Sequence, residues 1–365
     1  MRKYLVASAI GTTLFLGACQ LLLGIEDRSA VEAPTNEESS TPEPPRDAGP
    51  DTFDPCSSDN VPAAPPEVDA SSERDRDLLF AMNRIDFGID AGLPFGLNLD
   101  KHCTCPGESA CNRPAGSLPI CDEPNGVDNA TKGVLATLRR FGVLDERTLN
   151  ETLDSGGSRA LLRLQGYNGE ANDPSVTMSI YGSLGVEGTF TGTDKDRWRV
   201  DSETVVGGNL DAPTFRTGAW VRNSVLVAPF LDFTLRLGGD KGQVPLTTKL
   251  SAGYLIARID PTGTLDGVIA GRWDVESALD SIQSFRILDG SVSMCAGTDS
   301  FKLVQDFMCL ATDVRTNNAE DGLNRPCNAL SVHLGFSGRL ASFGSVRQRA
   351  DAGVTPCPTR PTCKP

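Results

Sequence analysis

The chain has 365 residues, with 34 basic and 48 acidic side chains and a formal charge of −14 at neutral pH. No basic stripe of the kind a phosphate backbone requires runs through it, which excludes nucleic acid as a partner. Length and a 39% hydrophobic content allow a sizeable core, and 11 cysteines suit an oxidising compartment.

Arg2 and Lys3 precede an apolar run from Leu5 to Gly17 that ends in Leu16-Gly17-Ala18-Cys19. That run is shorter than the about 20 residues needed to cross a bilayer and suits the core of a secretory signal. The motif resembles the lipobox of bacterial lipoprotein signal peptides. The resemblance implies cleavage after residue 18, a diacylglyceryl group on the Cys19 thiol and an acylated new amino terminus. Several acyl chains hold a protein at a membrane essentially permanently. Gln20, where such lipoproteins carry Asp for inner-membrane retention, implies the outer membrane, on a face the sequence leaves open. The rival reading extends the run through Leu21, Leu22 and Leu23 as an uncleaved anchor, which Thr12, Thr13 and Gln20 weaken.

Residues 19–71 follow as a lipidated terminus and disordered tether. Between 26 and 69, twelve acidic side chains face only Arg28 and Arg46, and proline, serine and alanine dominate. Such a segment cannot bury enough surface to offset the cost of ordering it. Its reach is roughly 35 to 40 Å. Cys56 would end the free tether if it pairs with the body.

Residues 72–157 read as a helical, cysteine-rich subregion. Leu78, Leu79, Phe80 and Met82 predict a helix over 73–84, and Val134, Leu135, Leu138 and Phe141 predict another over 130–141. Between them lie His102, Cys103, Cys105, Cys111 and Cys121, enough nitrogen and sulfur for zinc, although exported thiols oxidise. Asp122, Asn125, Asp128 and Asn129, with Asn98 and Asp100 upstream, are candidate ligands for a hard cation such as Ca²⁺. The competing reading makes Pro124-Asn125-Gly126 a turn and Asp128 or Asn129 the cap of the following helix.

From 158 to 365 short apolar runs alternate with turn residues. Strands are predicted over 159–167, 176–181, 186–191, 197–206, 219–230, 232–237, 247–259 and 264–270, helices over 274–285 and 301–312, and a closing strand over 328–336. The expected fold is mainly β: an antiparallel β-sandwich or jelly-roll core with short peripheral helices and disulfide-rich loops. Tyr167, Asn168, Asn172 and Asp173 form a candidate ligand loop, whose composition equally makes a plain turn. Trp198, Trp220 and Trp273 are expected in the core. With Cys19 lipidated, ten cysteines remain for five disulfides: Cys56, Cys103, Cys105, Cys111, Cys121, Cys295, Cys309, Cys327, Cys357 and Cys363. Their connectivity is not readable from sequence.

Catalytic signals are sparse. The chain lacks GxSxG, HExxH and GxxxxGK[ST], and of its two histidines His333 is expected on the solvated face of the closing strand. The reading favours a binding or interaction module of the cell envelope, with envelope polysaccharide or protein as partner. The alternative is a lipid-anchored, glycan-degrading hydrolase built on a carboxylate pair. The lipobox, the acidic tether, Cys103-Thr104-Cys105 with PNGVDNA, LLRLQGYNG, DGVIAGRW and PCNALSVHLGF together resemble a group of Gram-negative envelope lipoproteins. That resemblance implies a location and no activity.

Overall fold

A computed structural model describes residues 56, 61–65, 76–89, 96–104, 110–117, 121–140, 146–237, 246–284, 295–350 and 357–363. All of them belong to the unit Phe53–Pro365. The lipobox with Cys19, most of the tether, and Cys105 lie outside the described residues.

Ten strands form the sheet: β1 (Arg76–Asp86), β2 (Arg159–Tyr167), β3 (Asp173–Val186), β4 (Arg197–Asp201), β5 (Phe215–Arg222), β6 (Val225–Leu237), β7 (Leu246–Ile259), β8 (Thr264–Asp274), β9 (Ala329–Leu340) and β10 (Ser342–Arg347). Their order is β10-β4-β3-β2-β1-β9-β8-β7-β6-β5, and β3 also pairs with β5. Eight strands therefore close into an antiparallel barrel, each paired with its neighbours in sequence once β4 is set aside. β3 closes it because it is 14 residues long: Asp173 to Ile180 pair with β5, and Ser183 and Val186 pair with β4. β4 and β10 extend from the barrel as a parallel pair.

This closure corrects the expected sandwich or jelly-roll. Inward–outward alternation is the same in a sandwich and a barrel; pairing of the first strand with the last decides between them. Here Phe80 to Asp86 of β1 lie opposite Leu340 to Gly335 of β9.

The helix predicted over 73–84 is also overturned, since its residues fall in and before β1. Phe80 and Met82 point into the barrel core, while Leu79 and Ala81 join a second cluster with Tyr181, Trp198 and Val200 outside it. A strand buried on both faces carries an unbroken apolar run, which periodicity alone does not distinguish from a helix. The strand predicted over 219–230 is two strands. Asn223 (φ 51°) and Ser224 (φ 63°) form a two-residue hairpin, and positive φ at both positions suits the right-handed twist of the flanking strands. No strand covers 187–191.

Helices α1 (Ala130–Arg140), α3 (Val275–Ser284) and α4 (Asp299–Leu310) contribute Val134, Leu138, Leu279, Ile282, Phe301 and Met308 to the same cluster as the barrel interior. The short helix α2 (Glu146–Asp154), absent from the sequence expectations, docks on β1: Asn150 accepts from Ile85 N–H and donates to Ile85 C=O. Disulfides join Cys56 to Cys103, Cys111 to Cys327, Cys295 to Cys357 and Cys309 to Cys363, and Cys121 is also disulfide-bonded. Cys103 and Cys121 are therefore held in disulfides rather than left as thiolates for zinc.

Candidate functional site

The outward face of β8 and β9 is the first place where polar groups concentrate. Arg272, Ser331 and His333 alternate with core residues, as the pattern of the closing strand predicts, yet each has 0% exposure. The solvated position expected for His333 is thus overturned. Residues 96–104 cross over it, and Gly96, at φ +141°, permits the contact: a Cβ there would meet the imidazole ring at 2.5 Å. His333 Nε2 accepts the Leu97 N–H at 2.9 Å, which places the ring proton on Nδ1. Burial pushes its pKa down to about 3, so the ring is neutral. No nucleophile is bonded to it.

Around this face lie the aspartates. Arg272 forks onto both oxygens of Asp321 at 2.8 and 2.6 Å and also donates to the carbonyls of Leu99 and Arg315. Ser331 Oγ accepts from Ala130 N–H and donates to Asp313 at 2.5 Å, and Asp313 accepts from the Ser331 N–H as well. Ser331 is therefore a bridge between β9, α1 and residue 313, not a nucleophile activated by a base.

Of the candidate calcium ligands, Asp122 and Asp128 share this nest. Asp128 accepts the N–H groups of Leu99 and Asp100 at 2.6 and 3.3 Å, and Asp122 accepts that of Thr104 at 2.5 Å. Asn129 caps α1 by accepting from Lys132 N–H, and Asn125, at φ 68°, occupies the turn. These contacts are those of the turn-and-cap reading. Among the described residues, no group of three or more His, Cys, Asp or Glu side chains is placed to hold a metal ion. Burial, reinforced by mutual repulsion, pushes Asp100 and Asp313 up to about 6 and Asp122 up to about 7, and raises Asp128 well above the ordinary carboxylate range. Asp100 is 3% exposed, and its Oδ2 has no hydrogen-bond partner.

The Tyr167 to Asp173 loop satisfies itself. Tyr167 donates to the Glu170 carbonyl, Asp173 accepts from Asn168 N–H, Asn168 donates to the Asn172 carbonyl, and Asn172 accepts from Asn223 N–H. Its polar groups hold the β2–β3 turn against the β5–β6 turn. Trp198 and Trp273 are buried as expected, with the Arg159 guanidinium 3.8 Å from the Trp198 ring centroid. Trp220 is only half-buried.

Two open spaces stand out among the described residues. Inside the barrel, under α1, α3 and α4, Leu235, Leu250, Trp273, Met308 and Val332 line an apolar void of about 40 Å³. That is far below the roughly 150 Å³ that admits benzene. On the outside of β6, β7 and β8 a cleft of about 250 Å³ is lined by Asp232, Thr234, Lys249, Ser251, Asp274, Ser277 and Thr316 around an apolar floor that includes Phe233 and Leu250. Thr234 lies opposite Lys249, while Leu250, next to Lys249, lies opposite Trp273, next to Asp274. The ammonium-bearing strand thus lies between the two that carry the carboxylates. Asp274 accepts from Ser277 N–H, capping α3, and Ser251 donates to the Thr316 carbonyl. Alternation of Asp232, Thr234 and Arg236 with Phe233, Leu235 and Leu237 was the sequence signal for this outward row. Thr316 and Ser277 arrive from remote segments and gave none. Comparison with protein-family models, with curated proteins and with solved structures finds no match.

Proposed function

We propose that the protein is an exported binding module of the cell envelope, held by lipid on Cys19, and that the cleft over β6 to β8 takes a hydroxyl-rich ligand such as a sugar unit of envelope polysaccharide. The observation that carries this reading is the cleft itself. Two carboxylates, one ammonium and several hydroxyls line it beside the apolar Phe233 and Leu250, and its volume approaches the roughly 300 Å³ at the small end of ligand sites. Carboxylates and hydroxyls in that mixture suit the paired donors and acceptors of a sugar ring. The disulfides suit the exported location. Among the described residues, no helix is long and apolar enough to cross a membrane.

A soluble form starting at residue 20, made without the signal segment and the lipidated cysteine and screened against glycans and envelope fractions, should bind at least one. Asp232→Asn or Lys249→Ala should weaken that binding about tenfold at an unchanged melting temperature. Absence of any ligand, or binding indifferent to both substitutions, would remove the cleft from consideration. The sharing of one cleft by Asp232 and Asp274 also keeps the hydrolase reading in play. Release of reducing ends that disappears with Asp274→Asn supports it, whereas binding without turnover leaves the module reading. Intact-mass measurement checks the anchor: loss of residues 1–18 with added acyl mass is expected, and an unlipidated chain retaining them would contradict it.

A further inference from the structure

Val61 to Pro65, the tether's only described stretch besides Cys56, lies across the outside of β5 to β8 and uses groups that recognise an extended peptide. The outward row there is apolar: Trp220 lies opposite Val227, Val227 opposite Ile256 and Ile256 opposite Val268. Val227 has 0% exposure although its neighbours Leu226 and Ala228 are the ones that belong to the barrel core. Val61, like Tyr254 and Ile256, packs against the buried cluster of Leu97, Leu99 and Ala270. Pro65 is buried, whereas Ala63 and Ala64 between the two anchors are exposed.

The polar contacts point the same way. The Trp220 indole N–H donates to the Pro62 carbonyl at 3.1 Å, and the Arg222 guanidinium donates to the Ala63 carbonyl at 3.1 Å. Both donors bind main-chain carbonyls, so they do not depend on the side chains at 62 and 63. Proline supplies a carbonyl with no N–H to bury, and its fixed φ lowers the entropy of ordering an extended segment. The residues seated there read Pro62-Ala63-Ala64-Pro65, a PxxP spacing on a sheet face that presents Trp220.

We propose that this wall of the barrel is a docking groove for an extended proline-rich segment of another exported polypeptide, filled in the resting molecule by the chain's own residues 61–65. The Cys56–Cys103 disulfide closes the arm onto the body five residues before Val61, which raises the local concentration of the resident segment. An incoming partner must therefore outcompete a tethered occupant. This face is separate from the cleft lined by Asp232, Lys249 and Asp274, and its occupant is independent of the ligand assigned there.

The test uses the mature chain from residue 20 onward, made without the signal segment, and a synthetic peptide of residues 61–68. The Trp220 indole N–H resonance is the reporter. Val61→Asp with Pro65→Ser weakens the resident arm and leaves every strand untouched. The peptide is expected to shift the Trp220 resonance of this variant and to bind the unmodified arm at least about tenfold more weakly, because the tethered segment competes. Adding Trp220→Phe to the arm variant should remove the binding, and a peptide with both anchoring prolines changed to alanine should bind poorly. If the arm variant keeps its melting temperature and fails to bind the peptide, the groove is no receptor. Equal binding with Trp220→Phe would contradict it as well.

Discussion

Over β8 and β9 the barrel's outward face is polar and lies beneath residues 96–104 and 312–327; over β5 to β7 it is apolar and lies beneath five residues of the tether. The polar cover is fixed by directional bonds: Asp128 to Leu99, Asp313 to Ser331, Arg272 to Asp321, and the Cys111–Cys327 disulfide across it. The apolar cover is held by Val61 against Leu97, Leu99 and Ala270, by the Trp220 and Arg222 hydrogen bonds to the carbonyls of Pro62 and Ala63, and by the Cys56–Cys103 disulfide. A buried polar face is only as good as its last partner, since an unmatched group bears its full desolvation penalty. The hydrogen bonds of the apolar cover reach only main-chain carbonyls, so opening it leaves no buried charge unmatched.

The largest effect should come from Arg272→Met, which strips the buried partner from Asp321 and leaves the Leu99 and Arg315 carbonyls without their donor. A loss of about 3–5 kcal/mol in chemical unfolding is expected. A loss below about 1 kcal/mol would mean that the nest does not depend on its guanidinium.

The next effect is pH-dependent. Asp100, Asp122, Asp128 and Asp313 all have folded-state pKa values above 3.8, so their protonated forms favour the fold. The stability they contribute is complete below about pH 4 and is lost as pH rises through about 6 to 7. Arg272 and Arg113 are the neighbouring guanidiniums, the His102 imidazole lies beside Asp100, and Asp321 adds further negative charge. Asp128→Asn mimics the protonated acid. It should raise the melting temperature by about 3–6 °C at pH 8 and change little at pH 4. A variant equally stabilising at both values would show that repulsion among these carboxylates is not what the substitution relieves.

The smallest effect belongs to the other wall. Val61→Asp should cost about 1 kcal/mol or less, because Val61 is itself only half-buried. The cost should also be level from pH 5 to 8 apart from the new carboxylate itself. A multi-kcal loss would make the arm an integral part of the barrel rather than a displaceable occupant.

Much of the barrel was legible from local pattern. β2 falls on the predicted residues, α1, α3 and α4 lie within two residues of the predicted boundaries, and the alternation of Leu330, Val332, Leu334 and Phe336 identified the inward face of β9. What failed depended on contacts distant in sequence. β1 looked helical because both of its faces are covered. His333 looked solvated because nothing near it in sequence announces that residues 96–104 cross over it. The hairpin at Asn223 and Ser224 was hidden in a long apolar stretch, although asparagine at positive φ was the available clue. The polar cleft needed Thr316 from one loop and Asp274 at a strand end, and the groove needed a tether segment that composition alone assigns to disorder.

Hydrogen exchange compared between the two covers tests most directly the claim that they rest on different chemistry. The account predicts that, from pH 5 to pH 8 and after correction for intrinsic exchange, the Leu99, Thr104 and Ser331 amides lose protection as the aspartates ionise. The Trp220 indole N–H should keep its own protection over the same range. Parallel behaviour of the two sets, whether both hold or both open, would contradict it.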